Sequence, residues 1–241
     1  EIVVSLEKMN DMKWVSEKNQ VVCQAGAITD NVKSFVAENG RLLPISLASS
    51  SSSSIGGNVA TNAAGSKFIM YGSTKDHVSK IKVMLADGEI LSLKKEIKKD
   101  ATGPNLMELF FGSEGVLGIL SEATLKILPL NNSVKTFEIT FETLKSASDM
   151  IIMLMTQPIT PYKLEFVDEQ SVKLINSIKK NHFEIKTKSA VLLEIDGDVD
   201  FIDIQSKKLL KLMQSKEHKK ITIAENKIEI AELWKARKSL S

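Results

Sequence analysis

Glycine is spread unevenly along these 241 residues, and this constrains the fold more than any other feature. Of 12 glycines, only Gly197 follows Leu130. Glycine serves tight turns and close backbone approaches, and it weakens the interiors of helices and strands. The first half therefore reads as short elements joined by tight turns, and the second as longer regular ones. A boundary is predicted near residues 130–134, with one unit over 1–131 and another over 132–241.

In the first half, "EIVVSLEKMN" predicts a short strand, and "KWVSEKNQVVCQAG" continues it as a hairpin. "TDNVKSFVAENG" predicts a helix with Thr29 or Asp30 at its cap and Gly40 just past its end. "HVSKIKVMLADGEILSL" predicts two strands about a turn at Asp87-Gly88. "NLMELFFGSEGVLGILSEATLKILPL" begins helical, breaks at Gly112 and Gly115, and ends as a strand from Ala123 to Leu128. Beyond Asn132 strands and helices take turns, from "VKTFEITF" to the closing helix "KIEIAELWKARKSLS". The fold class is α+β, the second half being a sheet with helices on one face.

The chain is 43% hydrophobic and 26% charged with a net charge of +2. That is globular, without the basic footprint of a nucleic-acid or membrane-surface binder. No apolar run approaches the ~20 residues of a membrane span, and no signal peptide opens the chain. Its first residue is Glu1, so it reads as a fragment or a processed product. Cys23 is the single cysteine, which rules out a disulfide within the chain and fits the reducing cytoplasm. In the alternating run "QVVCQAG" it reads as a small buried hydrophobe rather than a nucleophile. His77, His182 and His218 lack ligand-like spacing, so no metal site and no catalytic residue is assigned. His77 heads a strand, and the other two sit in Lys-rich stretches that read as surface.

Two glycine clusters remain. "SSSSSSIGGNVATNAAG" runs from Ser49 to Gly65, and "FFGSEGVLGIL" from Phe110 to Leu120. Composition alone makes the first a linker, yet linkers do not carry Val59 and Ala60 between asparagines. Neither cluster is a dinucleotide fingerprint or a nucleotide loop. On the residues alone they are either tight structural turns or two walls of one ligand site.

The blocks "SIGGNVATNAAG", "YGSTKDHV", "VMLADGEIL" and "ATGPNLMELFFGSEGVLGILSEATLKILP" resemble, in order and spacing, the FAD-linked oxidase family. Its members oxidise 2-hydroxy acids of the glycolate, D-lactate and D-2-hydroxyglutarate type. The resemblance implies a PCMH-type FAD-binding domain followed by an α+β cap domain with an antiparallel sheet. It implies FAD as cofactor, a small D-2-hydroxy acid as substrate and electron-transfer subunits as partners. It assigns Ser54, Gly56, Gly57, Asn58, Asn62 and Ala63 to the flavin and its pyrophosphate, largely through backbone amides. Thr102 and Gly103 match a second turn. Glu114, Gly115, Gly118 and Ile119 match the segment facing the adenosine end and the middle of the dinucleotide. "LWKARKSLS" resembles the start of the substrate-facing helix, which places Arg237 and Ser241 at the substrate carboxylate. These two are four residues apart and share a helix face. A guanidinium matches a carboxylate through two parallel hydrogen bonds.

The chain departs from the family pattern at Ala64, at Pro104-Asn105 and at Met70. The resemblance also places a phosphate loop before Glu1 and the metal and catalytic histidines after Ser241, so the chain is expected to be incomplete for catalysis. The rival readings are a non-catalytic remnant, an assembly subunit of a multi-subunit oxidase, and a ligand-binding module of ferredoxin-like shape in the second half.

Overall fold

The computed structural model describes residues 2–94, 103–131, 133–179 and 182–238. The chain forms two compact units, Glu1–Leu130 and Asn131–Ser241.

The first unit opens with β1 (Met12–Val15) and β2 (Gln20–Gln24), a hairpin closed by a 3-10 turn with Asn19 in the left-handed region. Then follow α1 (Thr29–Ala37), β3 (Arg41–Leu42), α2 (Ile55–Ala60), α3 (Phe68–Tyr71) and α4 (Thr74–His77). The hairpin β4 (Val78–Met84) and β5 (Ile90–Lys94) turns at Asp87-Gly88, as its sequence predicts. β6 (Ile119–Lys126) and β7 (Leu128–Pro129) close the unit. Five strands form one antiparallel sheet in the order β1-β2-β6-β4-β5. Its core joins Val21 and Cys23 of β2, Ile81 and Val83 of β4 and Ala123 and Leu125 of β6 to Val32, Val36, Ile55 and Val59 of the helices. Cys23 is fully buried, and burial pushes its thiol up to about 12.

Two local expectations change. The stretch "IVVSL" is not a strand: Ile2, Val3 and Val4 are exposed and pair with no strand. A β-prone run stays extended only where a neighbouring edge accepts its hydrogen bonds. α1 is not capped by Thr29 or Asp30, since Ile28 stands at its cap. The serine run does the capping. Ser53 O accepts from Thr29 N at 2.9 Å and Ser50 O from Asp30 N at 3.0 Å. Ser50 is buried, and its hydroxyl takes Lys33 Nζ at 2.6 Å and Leu47 N at 3.1 Å. The run is a folded turn rather than a linker, because its carbonyls satisfy helix amides that would otherwise be orphaned.

The second unit runs β8 (Ser133–Phe141), α5 (Leu144–Met155), β9 (Lys163–Val167), α6 (Glu169–Ile178), β10 (Ser189–Gly197), α7 (Val199–Gln214), β11 (Lys220–Ala224) and α8 (Lys227–Lys238). Thr143, Asp168 and Asp198 cap α5, α6 and α7 with side-chain oxygens. The antiparallel sheet has the order β11-β8-β10-β9, so β8 and β9 run parallel with β10 between them. This is the split β-α-β arrangement of a ferredoxin-like layer. Phe137, Ile139 and Phe141 of β8 and Val191, Leu193 and Ile195 of β10 pack on one face against α5 and α7. The expectation of helices on one face alone is corrected here. Val172 and Ile175 of α6 and Leu233 and Trp234 of α8 cover the other face over Ala190, Leu192 and Val167. His182 is corrected as well. Its Nε2 lies 3.0 Å from Glu138 Oε2, with both side chains under a tenth exposed, so it is not a surface residue.

Candidate functional site

A cleft of about 400 Å³ opens in the first unit, within the size range of small-molecule sites. It is lined from one glycine cluster by Ser54, Gly56, Gly57 and Ala60, and from the other by Ser113, Glu114, Gly115, Gly118 and Ile119. Val4, Leu6, Phe110 and Leu120 complete its walls. Backbone bonds join the clusters: Glu114 N donates to Ala60 O at 2.9 Å and Gly112 N to Val59 O at 3.4 Å. The loop thus satisfies the Ala60 carbonyl, which the end of α2 leaves open, and adds a second donor to Val59 O, which already accepts from Asn62 N at 3.1 Å.

The glycines of this cleft differ in what surrounds them. A Cβ at Gly56 would lie 2.7 Å from the Ala25 Cβ, and one at Gly118 would lie 2.7 Å from the Val83 Cγ1. Close packing against β2 and β4 accounts for both. At Gly57 the nearest protein atom is the Ser54 hydroxyl, 3.2 Å away. Protein packing therefore leaves Gly57 unexplained, and its bare face opens on the cleft.

The first amides of α2 are already engaged. Ile55 N donates to Ala27 O at 2.9 Å, Gly56 N to Ala25 O at 2.7 Å, and Gly57 N to the Ser54 hydroxyl at 3.2 Å. These residues offer a smooth surface for close approach rather than free N–H donors. Asn58 points away from the cleft: it is buried, and its Nδ2 donates to Thr29 Oγ1 at 2.7 Å. Asn62 stands at φ +47, and its Oδ1 accepts from Lys75 N at 3.1 Å. Ala63 O accepts from Thr74 N and Oγ1 at 3.0 and 2.8 Å. Asn58, Asn62 and Ala63 shape the backbone of this region and do not line the cleft. Gly103 lies outside the lining too, and Thr102 and Ser241 fall outside the described residues.

The lining fits part of an FAD molecule. A flat ring or a sugar meets no side chain at Gly57 and apolar walls at Val4, Leu6, Phe110, Ile119 and Leu120. Among the described residues no basic side chain lines it. Val4 and Leu6 alternate as a strand's residues do, and nothing in that pattern marks them as walls of a cleft.

In the second unit Arg237 projects from α8 toward the sheet, with Nε and Nη2 3.3 and 3.2 Å from Glu165 Oε2 on β9. One turn earlier, Trp234 Nε1 donates to Glu194 Oε2 on β10. Glu194 is buried. It also accepts from Thr136 Oγ1 at 3.0 Å and from Lys163 Nζ, which stands 4.7 Å from the centre of the Trp234 ring. Glu165, Glu194 and Lys163 give no signal of a site in the sequence. Their alternation along the strands looks like that of solvent-facing residues.

A glycine-floored cleft beside one antiparallel sheet is followed by a separate ferredoxin-like layer, the two-part architecture of an FAD-binding domain and its cap. Residues 1–94 match the family described as FAD binding domain, and residues 130–241 match FAD linked oxidases, C-terminal domain. The chain belongs to the FAD-linked oxidase family. It is 30% identical over 239 residues to the Glycolate oxidase subunit GlcD of Bacillus subtilis (strain 168), covering 99% of this chain and 51% of that protein. It is 34% identical over 172 residues to the D-lactate dehydrogenase of Anaerostipes hadrus, covering 71% of this chain and 36% of that protein. Against the D-2-hydroxyglutarate dehydrogenase of Stutzerimonas stutzeri (strain A1501) identity is 42% over 128 residues, 53% of this chain and 28% of that one. The chain spans about half the length of these relatives, or less. The solved structure of alkyldihydroxyacetonephosphate synthase superposes with a TM-score of 0.78 at 19% identity, over 96% of this chain and 44% of that one, a likeness of fold alone. Among the described residues no helix is long and apolar enough to cross a membrane.

Proposed function

We propose that this chain is the FAD-binding and cap portion of a flavoenzyme that oxidises a small D-2-hydroxy acid of the glycolate or D-lactate type. The observation that carries the reading is the single cleft lined by both glycine clusters, with Gly57 bare toward it. FAD, when bound, supplies the acceptor for the hydride leaving C2 of the hydroxy acid. The chain's own share is to hold the ring system against Gly57 and to keep water from it with Val4, Phe110, Ile119 and Leu120. Arg237, with Ser241 four residues on, is the clamp for the substrate carboxylate. The single buried cysteine fits a cytoplasmic enzyme, and electron-transfer subunits are the natural reoxidants.

The test is to titrate FAD into the protein, and then glycolate, D-lactate and D-2-hydroxyglutarate, following each binding by fluorescence. FAD binding that is weakened by Gly57→Val, and hydroxy-acid binding that is weakened by Arg237→Leu, support the reading. Failure to bind FAD, or binding indifferent to both substitutions, overturns it. A second reading, a subunit that assembles with electron-transfer partners without chemistry of its own, is favoured by a cleft lining that, among the described residues, is apolar and glycine-rich with Glu114 as its one charged side chain. It predicts a colourless protein that still captures those partners.

A further inference from the structure

We propose that Glu165 is a positioning residue for Arg237: it holds one edge of the guanidinium so that the other faces a carboxylate ligand end-on. The inference rests on the reading of Arg237 as a carboxylate clamp. Both contacts from the Arg237 fork, Nε and Nη2, converge on a single oxygen of Glu165. The opposite edge, Nη1 with the outer N–H of Nη2, has no partner among the described residues. That edge is the one a second carboxylate takes with two parallel bonds.

The helix carrying Arg237 is anchored independently. Trp234 and Arg237 are three residues apart on α8, hence on one face. Their acceptors lie on neighbouring strands of the same sheet face. Lys163 stands opposite Glu194 across the β9–β10 ladder, and Glu165 lies two residues further along β9. Trp234 reaches Glu194 while Arg237 reaches Glu165, so a pair of residues one turn apart meets a pair of carboxylates one pleat apart. Glu194 fixes the helix, and Glu165 fixes the side chain. An Arg held in one rotamer before its ligand arrives loses less freedom on binding.

Arg41 and Arg237 are the only arginines, so the arginine Nε–H region of a proton–nitrogen spectrum holds two signals, which Arg41→Lys assigns. The probe is oxalate, added to the whole chain. The expected result is that oxalate moves the Arg237 guanidinium signals in the native protein. Glu165→Gln and Glu165→Ala should lose the protected Nε–H signal and bind oxalate about tenfold more weakly. Glu165→Asp should recover part of the affinity, and the Trp234 indole N–H signal should stay in place throughout. Unchanged oxalate affinity in Glu165→Gln, with Arg237 still responding, overturns the positioning role and leaves the clamp standing. Loss of the Trp234 signal in Glu165→Gln also overturns it, since Glu165 would then hold the helix rather than the side chain. If oxalate moves no Arg237 signal in the native protein, the clamp reading itself fails.

Discussion

Gly57 and Gly118 carry the same hydrogen in place of a side chain for opposite reasons. At Gly118 a Cβ would sit 2.7 Å from Val83 and 2.8 Å from Met84 O, so the sheet forbids it. At Gly57 only the Ser54 hydroxyl that caps α2 stands near, 3.2 Å from an added Cβ, and it need give by a few tenths of an ångström at most. Gly118→Val should therefore cost stability, about 1–3 kcal/mol as overpacking does, visible as a lower denaturation midpoint with or without FAD. Gly57→Val should leave that midpoint nearly unchanged and weaken FAD binding at least tenfold, whereas Ser51→Val, at an exposed position, should do neither. In the sequence the two glycines look alike, because the atoms that separate them come from β4 and from the cleft, neither of which is a neighbour in the chain. His77 gives a pH prediction. Burial, the largest influence, lowers its pKa from the ordinary 6.5, against a smaller raising effect of its hydrogen bond to the Tyr71 backbone. Below pH 6.5 the unfolded chain takes up a proton that the folded one resists. Stability from this group is thus level above that value and falls as the pH drops through it toward the lower folded pKa. Urea midpoints measured on either side of pH 6.5 should differ less in His77→Leu than in the native protein.

At the scale of elements, the serine run and α2 act as one brace on α1. Asn58 Nδ2 donates to Thr29 Oγ1, and that hydroxyl donates to Ser53 O at 2.9 Å, a short buried chain linking three segments. Asn58→Ala leaves the Thr29 hydroxyl without its donor and should cost ~1–3 kcal/mol, measurable by chemical denaturation. It should do so without touching the cleft lining, so FAD affinity measured on the folded fraction should hold. Elements were legible where a local signal sufficed: the Asp87-Gly88 hairpin, the 3.6-residue period of α5 to α7, the alternation of β8. Two things were not. The part the serine run plays in capping α1 is invisible, although the residues after it argue against a linker, because its order comes from carbonyl oxygens, which every residue has. The second face of the cap sheet looked wet because Thr136, Glu138, Glu194 and Lys163 alternate with apolar residues as surface positions do. Only the packing of α6 and α8 shows that this polar face is covered.

At the scale of the molecule, the glycine count changes at Leu130, and the compact units part between Leu130 and Asn131. Each unit has its own core and its own tryptophan, Trp14 in the first and Trp234 in the second. This gives a direct reading of where the cofactor acts. In a Trp234→Phe background, FAD at a hundred times its Kd should stabilise the unit reported by Trp14 by ~2.7 kcal/mol, seen as a raised melting temperature in tryptophan fluorescence. No shift at that concentration would place the cofactor elsewhere.

The strand order of the first sheet also dictates a sequence of events in the making of the protein. β6 occupies the middle, bonded to β2 on one side and β4 on the other, yet it is the last of the five strands to be synthesised. As the chain leaves the ribosome, the two hairpins β1–β2 and β4–β5 emerge first, and isolated hairpins are marginal in water. Each exposes an unsatisfied edge that invites pairing with another nascent chain. Only the arrival of Ile119–Lys126 converts these two edges into one closed interior. Over the stretch of translation between Lys94 and Lys126 the edges of both hairpins therefore lie open to such pairing.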